Sequence, residues 1–597
     1  MASLVLEFFS ESDFTIDQIT EMSWTTNFFT GCLHQFRWSG LSGVELKDGE
    51  LQVINSIVVN EISMNLDDHS GVLEAFIIVQ VCKSSMETSA MFAIPVIVEI
   101  NRADIFAIPS EIDLLGVFHF QNDVVSTVQI STRNLSFWKD VCRFMLSNDY
   151  SNKDLDMTFL DPAFQAAISS GETLGKNDYD VSFLGDSNTT NIVMRFKIES
   201  VPDLDFIVKF YPRIQFNTAR FLNDLLSSSF ESFARIMAAC DYQQEFMRKL
   251  FNITNQESFY EDVVAGTAQL HKEASNFYPF VHIFKFIPGN SDGGAPFWNS
   301  AIRLFNETGD DTGMDAVLEL ARKLGNSVAK FHAILGSRED DLDLVKSQRS
   351  KMIVKIKDQL SVACTFLKEN NELVELSRSF SSARSWLIRL MDFTSISKQL
   401  IPPENHFTEA PRQYIHQDLH MGQFIFVEQD QEFVVLDLEG DPQIPWYERV
   451  DLYHVEKDIA SLVRSLSYIK IAALKSTIET LFNMDASNDA NFSLLYPLLF
   501  LPEHDSIRAP EIVFSIPDPV ILDRLPRMIE ALNSWETKVR EAIIESYQGF
   551  HDLDPWLLRF YTLQRILNEI SYEIKFRPRN FFIPLIGLVE LLQRDHG

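Results

Sequence analysis

The chain has 597 residues, more than one hydrophobic core usually supports, and we expect two to four packed units. Its 51 Lys and Arg against 84 Asp and Glu give a formal net charge of -33, which argues against binding to nucleic acid or to an anionic membrane surface. An anionic substrate must therefore be held by a few local cations or by a metal ion.

The same composition predicts a cytoplasmic protein. Apolar stretches such as FIIVQV and PVIVEI are far too short to cross a bilayer. The N-terminal MASLVLEFFSESDF has neither the basic region nor the sustained apolar region of a secretory signal. The cysteines are scattered and form no CxxC pair, so we expect reduced thiols and neither a zinc site nor a disulfide scaffold. They are Cys32, Cys82, Cys142, Cys240 and Cys364.

Strand patterns dominate the first half of the chain. Up to residue 130, runs such as ELQVINSIVV, VLEAFIIVQVC and MFAIPVIVEI predict an antiparallel sheet. Residues 131–175 read as helices and loops. NIVMRFKI and DFIVKFYPRI then predict a hairpin-like pair, and FVHIFKFIPGN predicts a further strand that ends in the turn cluster NSDGGAP. Between them, NTARFLNDLLSSSFESFARIMAAC has helical periodicity.

Helical patterns dominate the second half, beginning with AVLELARKLGNSVAKFHAIL and continuing through residues 350–400. After IPPENHFTEAP, the runs QFIFVE and EFVVLDLE predict two short strands joined by a tight turn. The last 140 residues or so are again helical. We therefore predict an α+β protein with an N-terminal antiparallel-sheet cap domain (1–130), a small strand-rich lobe (131–290) and a large helical lobe (291–597).

One segment, HQDLHMGQFIFVEQDQEFVVLDLEGDP, carries a pattern with chemical meaning. Asp418 is followed five residues later by Gln423 and nineteen later by Asp437. A loop carboxylate beside a hairpin that offers an amide oxygen and a second carboxylate can surround a hydroxyl group and a hard cation together. Phosphoryl transfer needs such an arrangement, and protein kinases use the same offsets with Asn in place of this Gln. Taken alone, the pattern could equally be a solvated turn.

A possible cationic partner lies in the small lobe. Lys209 interrupts the apolar strand FIVKFY, where it either lies at a sheet edge with its head in water or directs its ammonium at phosphate groups. His416 and His420 are four residues apart, but no Glu lies between them as in the HExxH zinc motif. We expect His416 to brace the loop by hydrogen bonding, and the role of His420 stays open.

Together, HQDLHMGQ, VVLDLEGDP and DIASLVRSLSY resemble the maltokinase family, relatives of the aminoglycoside phosphotransferases. GDSNTTNIVMRF is similar to the family's nucleotide-phosphate turn, FKFIPGNSDGG to its hinge, and RWSG at residues 37–40 to a motif of its cap domain. The C-terminal LLRFYTLQRILNEISYEIKFRPRNFFIPLIGL is similar to its last helices. The resemblance implies a bilobal, protein-kinase-like fold and transfer of phosphate from ATP, with Mg²⁺, to a sugar hydroxyl.

The resemblance also implies roles for matching residues. Asp418 would be the catalytic base, and Gln423 and Asp437 the metal ligands. ATP would be bound by Lys209 and by the turn of Ser187, Asn188 and Thr189. His416 and His420 would support the catalytic loop. Sugar-binding candidates are Glu439, Arg565, Glu569, Tyr572 and Glu573, although Glu439 could equally be an exposed hairpin end and the last four could form ordinary charge pairs along a helix.

Three departures from the family pattern bear on activity. Gln417 stands where the family has a glycine that permits unusual backbone angles. The Glu expected on the helix after Lys209 is absent: Asn217 occupies its place, and Asp224 or Glu231 are the possible substitutes. In the acceptor helix Arg565 replaces Lys, and these two residues are not interchangeable when a hydroxyl must be met at one distance.

Three hypotheses follow for the function. The first is an ATP-dependent kinase that converts maltose to maltose 1-phosphate. The second keeps the chemistry but takes glucosamine or another amino sugar as the acceptor, which an acidic groove would favour. The third is a non-catalytic pseudokinase, motivated by the altered loop glycine and the missing helix Glu. The sequence identifies no protein partner.

Overall fold

The computed structural model describes only part of the chain, and the residues it describes have mixed α and β structure, as predicted. The described residues are 51–67, 70–83, 89–102, 114–119, 124–130, 135–146, 155–170, 179–184, 191–198, 204–214, 218–243, 278–287, 290–306, 312–338, 341–369, 392–441, 444, 449, 451–482, 519–577 and 580–593. Ser187, Asn188, Thr189, Asn217 and the RWSG motif lie outside them.

The strands and helices are numbered in chain order. The strands are β1 Leu51–Asp67, β2 Ser70–Lys83, β3 Ser89–Arg102, β4 Leu114–His119, β5 Val124–Ile130, β6 Leu155–Phe159, β7 Tyr179–Phe183, β8 Ile192–Ile198, β9 Asp205–Phe210, β10 Arg213–Ile214, β11 Ile236–Tyr242, β12 Pro279–Lys285, β13 Asn290–Asp292, β14 Phe424–Val427 and β15 Glu432–Val435. The helices are α1 Leu135–Leu146, α2 Pro162–Ser170, α3 Ala219–Leu226, α4 Ala295–Asn306, α5 Thr312–Leu335, α6 Leu342–Glu369, α7 Phe393–Leu400, α8 Glu404–Glu409, α9 Glu456–Phe482, α10 Pro519–Gln548, α11 Pro555–Phe576 and α12 Phe582–Gln593.

The chain divides into two compact units. The first comprises Met1–Asn223, Ala234–Phe286 and Pro445–Val450, and the second comprises Asp224–Phe233, Ile287–Ile444 and Asp451–Gly597. This division does not test the three domain boundaries predicted from the sequence, and the bilobal arrangement and the cap domain stay predictions.

The first unit contains two sheets. One has the order β1-β2-β3-β5-β4, with β10 paired to β3, and all of its pairs are antiparallel, as the alternating runs before residue 130 predict. The other has the order β6-β11-β12-β9-β8-β7. Its core is rich in phenylalanine: the rings of Phe196 and Phe206 stack with centroids 5.6 Å apart, and Phe210 contacts Trp138 of α1 at 5.1 Å.

One prediction for this second sheet was wrong. The helical periodicity assigned up to Cys240 ends in α3, and the following run IMAACDY is strand β11 at the interior of the sheet. All seven residues of β11 are buried, so the strand shows none of the alternation that identifies a half-buried strand. The short strands β6 and β13 were likewise read as loop and turn.

The second unit is mainly helical and carries the predicted hairpin. Strands β14 and β15 pair with Phe424 opposite Val435, and β13 adds to the other side of β14. Helix α5 packs against α10, while α9 packs against α10 and α11. Within the described residues, no helix combines the length and the apolar character needed to span a membrane.

The contact between α5 and α10 depends on a glycine. A Cβ atom on Gly325 of α5 would lie 2.3 Å from the backbone oxygen of Ile543 and 2.1 Å from Ser546 Oγ in α10. Because the backbone oxygen cannot move without shifting the helix, only glycine allows the two helices to approach this closely.

Gly325→Ala should therefore lower the free energy of unfolding by ~1–3 kcal/mol, since the added methyl group forces the helices apart. Urea unfolding followed by circular dichroism measures the loss. Gly313→Ala is the matched control in the same helix, because no described atom lies within 4 Å of its Cβ position, and it should be neutral or slightly stabilising. Equal effects of the two substitutions would contradict this packing.

Candidate active site

The predicted catalytic segment forms a loop followed by a hairpin. After Asp418, a single 3-10 turn, Met421–Gln423, leads into β14, and the chain returns along β15. The Leu436 N–H donates to the Gln423 backbone oxygen at 2.8 Å, one step beyond the last strand pair. The two predicted metal ligands, Gln423 and Asp437, therefore lie at the same end of the hairpin, and both are half-buried.

The loop is held by a buried carboxylate that the sequence analysis did not single out. Asp458, in the first turn of α9, is fully buried and accepts hydrogen bonds from the backbone N–H groups of His416 at 2.8 Å and Gln417 at 2.7 Å. Such charge-assisted bonds are about twice as strong as neutral ones. Asp458 is the first residue of DIASLVRSLSY. Its position in the first turn of a helix was the signal in the sequence that could have identified it.

The side chain of His332 also contacts Asp458. His332 Nε2 lies 3.1 Å from Asp458 Oδ2, and its Nδ1 lies 2.8 Å from the Tyr547 hydroxyl. Because a carboxylate only accepts, Nε2 carries the proton and the hydroxyl donates to Nδ1. Desolvation by burial lowers the pKa of His332 despite the neighbouring Asp458, so the imidazole is neutral at physiological pH.

The loop also contains strained backbone. Among the described residues other than glycine, only Gln417, Gln431 and Asp437 have positive φ angles, at 71°, 53° and 57°. Gln431 is in the hairpin turn. Gln417 directly precedes the candidate base Asp418, and Asp437 is itself a candidate metal ligand. Gln417 thus adopts the left-handed conformation for which a glycine is suited. Such outliers concentrate at functional sites and cost ~1–3 kcal/mol each.

His416 and His420 have different contacts. His416 Nε2 donates to the Leu436 backbone oxygen at 2.7 Å, which links the loop to the end of β15, and its Nδ1 accepts from the Asp418 N–H at 3.4 Å. His420 Nδ1 accepts from the Gly422 N–H, so Nε2 carries the proton and faces Asp418 Oδ2 at 3.8 Å. Desolvation by burial lowers the pKa of His420, with smaller and opposing effects from nearby charges.

Asp418 is ionised and bound to an arginine. Arg565 Nη1, on α11, donates to Asp418 Oδ1 at 2.7 Å. Burial by itself would raise the pKa of Asp418, but the charges of Arg565 and His420 and the bond from Arg565 outweigh it and hold the pKa below its ordinary value. The candidate base is therefore a carboxylate throughout the physiological pH range.

The candidate acceptor residues lie on one side of α11. Arg565, Glu569 and Glu573 follow one another at intervals of four residues. Arg565 Nε bonds to Glu569 Oε1 at 3.2 Å, and Arg464 of α9 bonds to Glu569 Oε2 at 2.9 Å. Glu573 is fully buried and accepts from Arg577 at 2.6 Å.

Two further acceptor candidates have different surroundings. Tyr572, one residue from Glu573, is half-buried, and the Arg577 guanidinium lies 5.1 Å from its ring centroid. Glu439, two residues after Asp437, is half-buried as well.

The donor set at the hairpin end suits magnesium. The described residues contain no group of three or more His, Cys, Asp or Glu side chains that could hold a metal ion. Mg²⁺ commonly uses only one or two protein carboxylates together with substrate phosphates and water, and it prefers oxygen ligands. One carboxylate and one amide oxygen, from Asp437 and Gln423, fit that chemistry.

Lys209 belongs to the first unit. It lies in β9 between Val193 of β8 and His282 of β12, is 6% exposed, and its ammonium is 5.5 Å from the ring centroid of Tyr211. It is thus a buried lysine in the interior of a sheet. Asp224 and Glu231, proposed as its partners, are exposed, and that pairing stays a prediction.

Several solved structures of low sequence identity are similar to this chain. No family model and no curated protein matches the chain. A solved glucosamine kinase in complex with glucosamine, ADP and inorganic phosphate is 13% identical over 92% of this chain and 95% of that chain, with a TM-score of 0.47. A Plasmodium vivax ethanolamine kinase is 13% identical over 75% and 91%, with a TM-score of 0.27.

A third solved structure, an aminoglycoside phosphotransferase from Alicyclobacillus acidocaldarius subsp. acidocaldarius, is 12% identical over 71% and 99%, with a TM-score of 0.24. All three are phosphotransferases that act on small molecules, and none of them is a maltokinase. Similarity at this level establishes neither a family nor an activity for this chain.

Asp458→Asn tests the anchor of the loop. An amide can accept from only one of the two backbone N–H groups and turns its own N–H₂ group toward the other, so the free energy of unfolding should fall by ~2–4 kcal/mol. Urea unfolding measures the change. Asp358→Asn, on the exposed face of α6, is the control and should change stability by less than ~0.5 kcal/mol. A stable Asp458→Asn variant would mean that the loop does not depend on this carboxylate.

Proposed function

We propose that the protein is an ATP- and Mg²⁺-dependent phosphotransferase that transfers the γ-phosphoryl group to a hydroxyl of a small sugar. The observation that carries this proposal is the position of Asp418. It is an ionised carboxylate on a loop that Asp458 anchors, next to a hairpin end that offers the oxygen ligands of Gln423 and Asp437. Phosphoryl transfer requires positioning and electrostatic stabilisation, and this arrangement suits both.

Asp418 is the proposed catalytic base. Its carboxylate orients the acceptor hydroxyl and takes its proton as the oxygen attacks the γ-phosphorus. The bond between that phosphorus and the bridging oxygen breaks, and ADP leaves. Magnesium held by Gln423 and Asp437 would neutralise charge on the phosphate oxygens. Lys209 remains the proposed phosphate anchor, together with the turn of Ser187, Asn188 and Thr189.

The acceptor is proposed from the resemblance of the sequence motifs. The resemblance of the sequence motifs favours maltose, with maltose 1-phosphate as the product, and glucosamine is the alternative. A screen of free sugars with ATP and Mg²⁺ that scores ADP release and the position of the new phosphate separates the two. Phosphorylation of neither would leave only the reaction type to be tested with other hydroxyl acceptors.

The pseudokinase alternative loses part of its motivation. It rested on Gln417 in the place of a glycine, which could have reshaped the loop. Gln417 has a φ of 71°, and its N–H bonds to Asp458, so the backbone retains the left-handed conformation that the glycine would have permitted. This observation favours an active enzyme over a non-catalytic binding module.

Asp418→Asn should lower kcat by ~10²- to 10⁴-fold while ATP binding is kept, because the amide cannot accept the hydroxyl proton but can still accept a bond from Arg565. A coupled assay of ADP release measures turnover, and isothermal titration calorimetry measures ATP affinity. An unchanged rate would exclude Asp418 as the base.

Asp437→Asn should weaken Mg²⁺-dependent ATP binding at least ~10-fold, or by about 1.4 kcal/mol, because the metal loses its charged protein ligand. Asn tolerates positive φ, so the backbone at this position is spared. Calorimetry with and without Mg²⁺ gives the result. Asp430→Asn, an exposed acid in the turn of the same hairpin, is the control and should leave the affinity unchanged. Equal affinity in both variants would remove Asp437 from the metal site.

A further inference from the structure

A row of polar side chains lies in the six-stranded sheet of the first unit and in helix α3. Its members are Lys209 of β9, Tyr211 directly after that strand, Arg220 of α3, Asp241 of β11 and His282 of β12, and together they form the polar row. The side chain of Arg220 is 13% exposed, and the other four residues are less than one-tenth exposed. Polar groups buried in a sheet that is otherwise rich in phenylalanine are costly unless they bond to one another.

The polar row begins on α3. Arg220 Nη1 donates to Asp241 Oδ2, so a buried ion pair joins this helix to the interior strand β11. The second oxygen of Asp241, Oδ1, faces His282 Nε2 at 3.5 Å, and neither of these two atoms has a hydrogen bond to any other described residue. Because a carboxylate only accepts, Nε2 is the protonated nitrogen of the ring. Asp241 therefore connects a cation on the helix to a histidine in the sheet.

The polar row ends at Lys209. His282 Nδ1 lies 3.1 Å from the Tyr211 hydroxyl, and the two rings are 5.0 Å apart between centroids. The Lys209 ammonium lies 5.5 Å from the centroid of the Tyr211 ring, within the ~6 Å at which an aromatic ring attracts a cation. Lys209 and His282 also face each other in the pairing of β9 with β12, so their side chains share one face of the sheet. Consecutive contacts thus link α3 to Lys209.

We propose that Asp241 is a positioning residue that holds Lys209 in place for the phosphates of ATP, acting through His282 and Tyr211. This role rests on the proposed function, because it takes Lys209 as the phosphate anchor. A lysine side chain is flexible, and its ammonium needs neighbouring groups to fix its position. The Tyr211 ring is one such neighbour, and the contacts through His282 to Asp241 fix the orientation of that ring.

The contact between helix and sheet has the reverse polarity of the one expected from the sequence. An acid was expected on the helix after Lys209, and Asp224 and Glu231 were the possible substitutes for it. In the observed ion pair the helix supplies the cation, Arg220, and the strand supplies the acid, Asp241. The run IMAACDY was read as the end of a helical segment, so an acid from a neighbouring strand was not considered.

Asp241→Asn tests this role in the full-length protein. The amide keeps the shape of the side chain but loses its charge, so the affinity for ATP with Mg²⁺ should fall at least ~10-fold in isothermal titration calorimetry. Asp205→Asn is the matched control, because Asp205 bonds to Arg195 through both oxygens in the same sheet but outside the polar row. It should leave ATP affinity unchanged. Wild-type affinity in Asp241→Asn would overturn the inference.

A double-mutant cycle separates the positioning of Lys209 from a general loss of stability. Lys209→Met removes the ammonium and should itself weaken ATP binding, which the rise of Tm with ATP concentration measures even when binding is weak. If Asp241 acts through Lys209, adding Asp241→Asn to Lys209→Met should change ATP affinity by less than ~2-fold. A further loss as large as that in the single variant would overturn the inference, and so would an unchanged affinity in Lys209→Met.

Tyr211→Phe decides the proposal if Asp241→Asn does not fold. It removes only the hydroxyl that contacts His282 and keeps the ring beside Lys209, so ATP affinity should fall about 3-fold or more. Unchanged affinity in this variant would overturn the inference.

These measurements need no acceptor, so their result is separate from that of the sugar screen. A protein that shows the expected losses of ATP affinity but phosphorylates no acceptor would contradict the proposed function and support the role of Asp241. Transfer to a sugar with wild-type ATP affinity in Asp241→Asn would support the proposed function and contradict that role. A wild-type protein that binds no ATP would contradict both.

Discussion

The candidate site depends on the carboxylate of Asp458. It lies in the first turn of α9 and accepts two backbone N–H groups from the loop that precedes Asp418. A buried carboxylate is tolerated only when its oxygens are bonded, and here the bonded groups are the backbone of His416 and Gln417. The same contact offsets part of the cost of the left-handed conformation at Gln417, so the strained turn and the orientation of the candidate base follow from a single buried charge.

A second constraint follows from the acidity of the chain. With a net charge of -33, the protein must place many carboxylates, and several of those buried in the second unit are bonded to Arg or Lys. Arg565 and Arg464 bond to Glu569, and Lys470 bonds to Glu536 at 2.6 Å. Gly587 has a role in this pairing, because a Cβ atom there would lie 2.3 Å from Arg464 Nη1. Removing one partner from such a pair leaves an uncompensated charge, which is why these positions are sensitive to substitution.

The predicted site and the observed geometry agree where the pattern is local. The two strands between Gln423 and Asp437 were predicted from apolar runs and a tight turn. Both strands are present, and the two residues lie at the same end of the hairpin. The sequence did not decide the loop conformation at Gln417. A residue other than glycine there either reshapes the loop or adopts the left-handed conformation. The role of Asp458 was missed although it lies in the first turn of α9, because the sequence does not show that this turn contacts the loop before Asp418.

Local pattern by itself determined most strands, the long amphipathic helices, and the spacing of Asp418, Gln423 and Asp437, because periodicity and turn chemistry act over a few residues. It did not determine β11, whose continuous burial removes the alternation that marks a strand. Only the tertiary structure decided that Arg565, 147 residues from Asp418 in the chain, bonds to its carboxylate. Such a contact depends on how α11 packs on α9, and helix packing is set by the shapes and charges of side chains distant in sequence, which no local window contains.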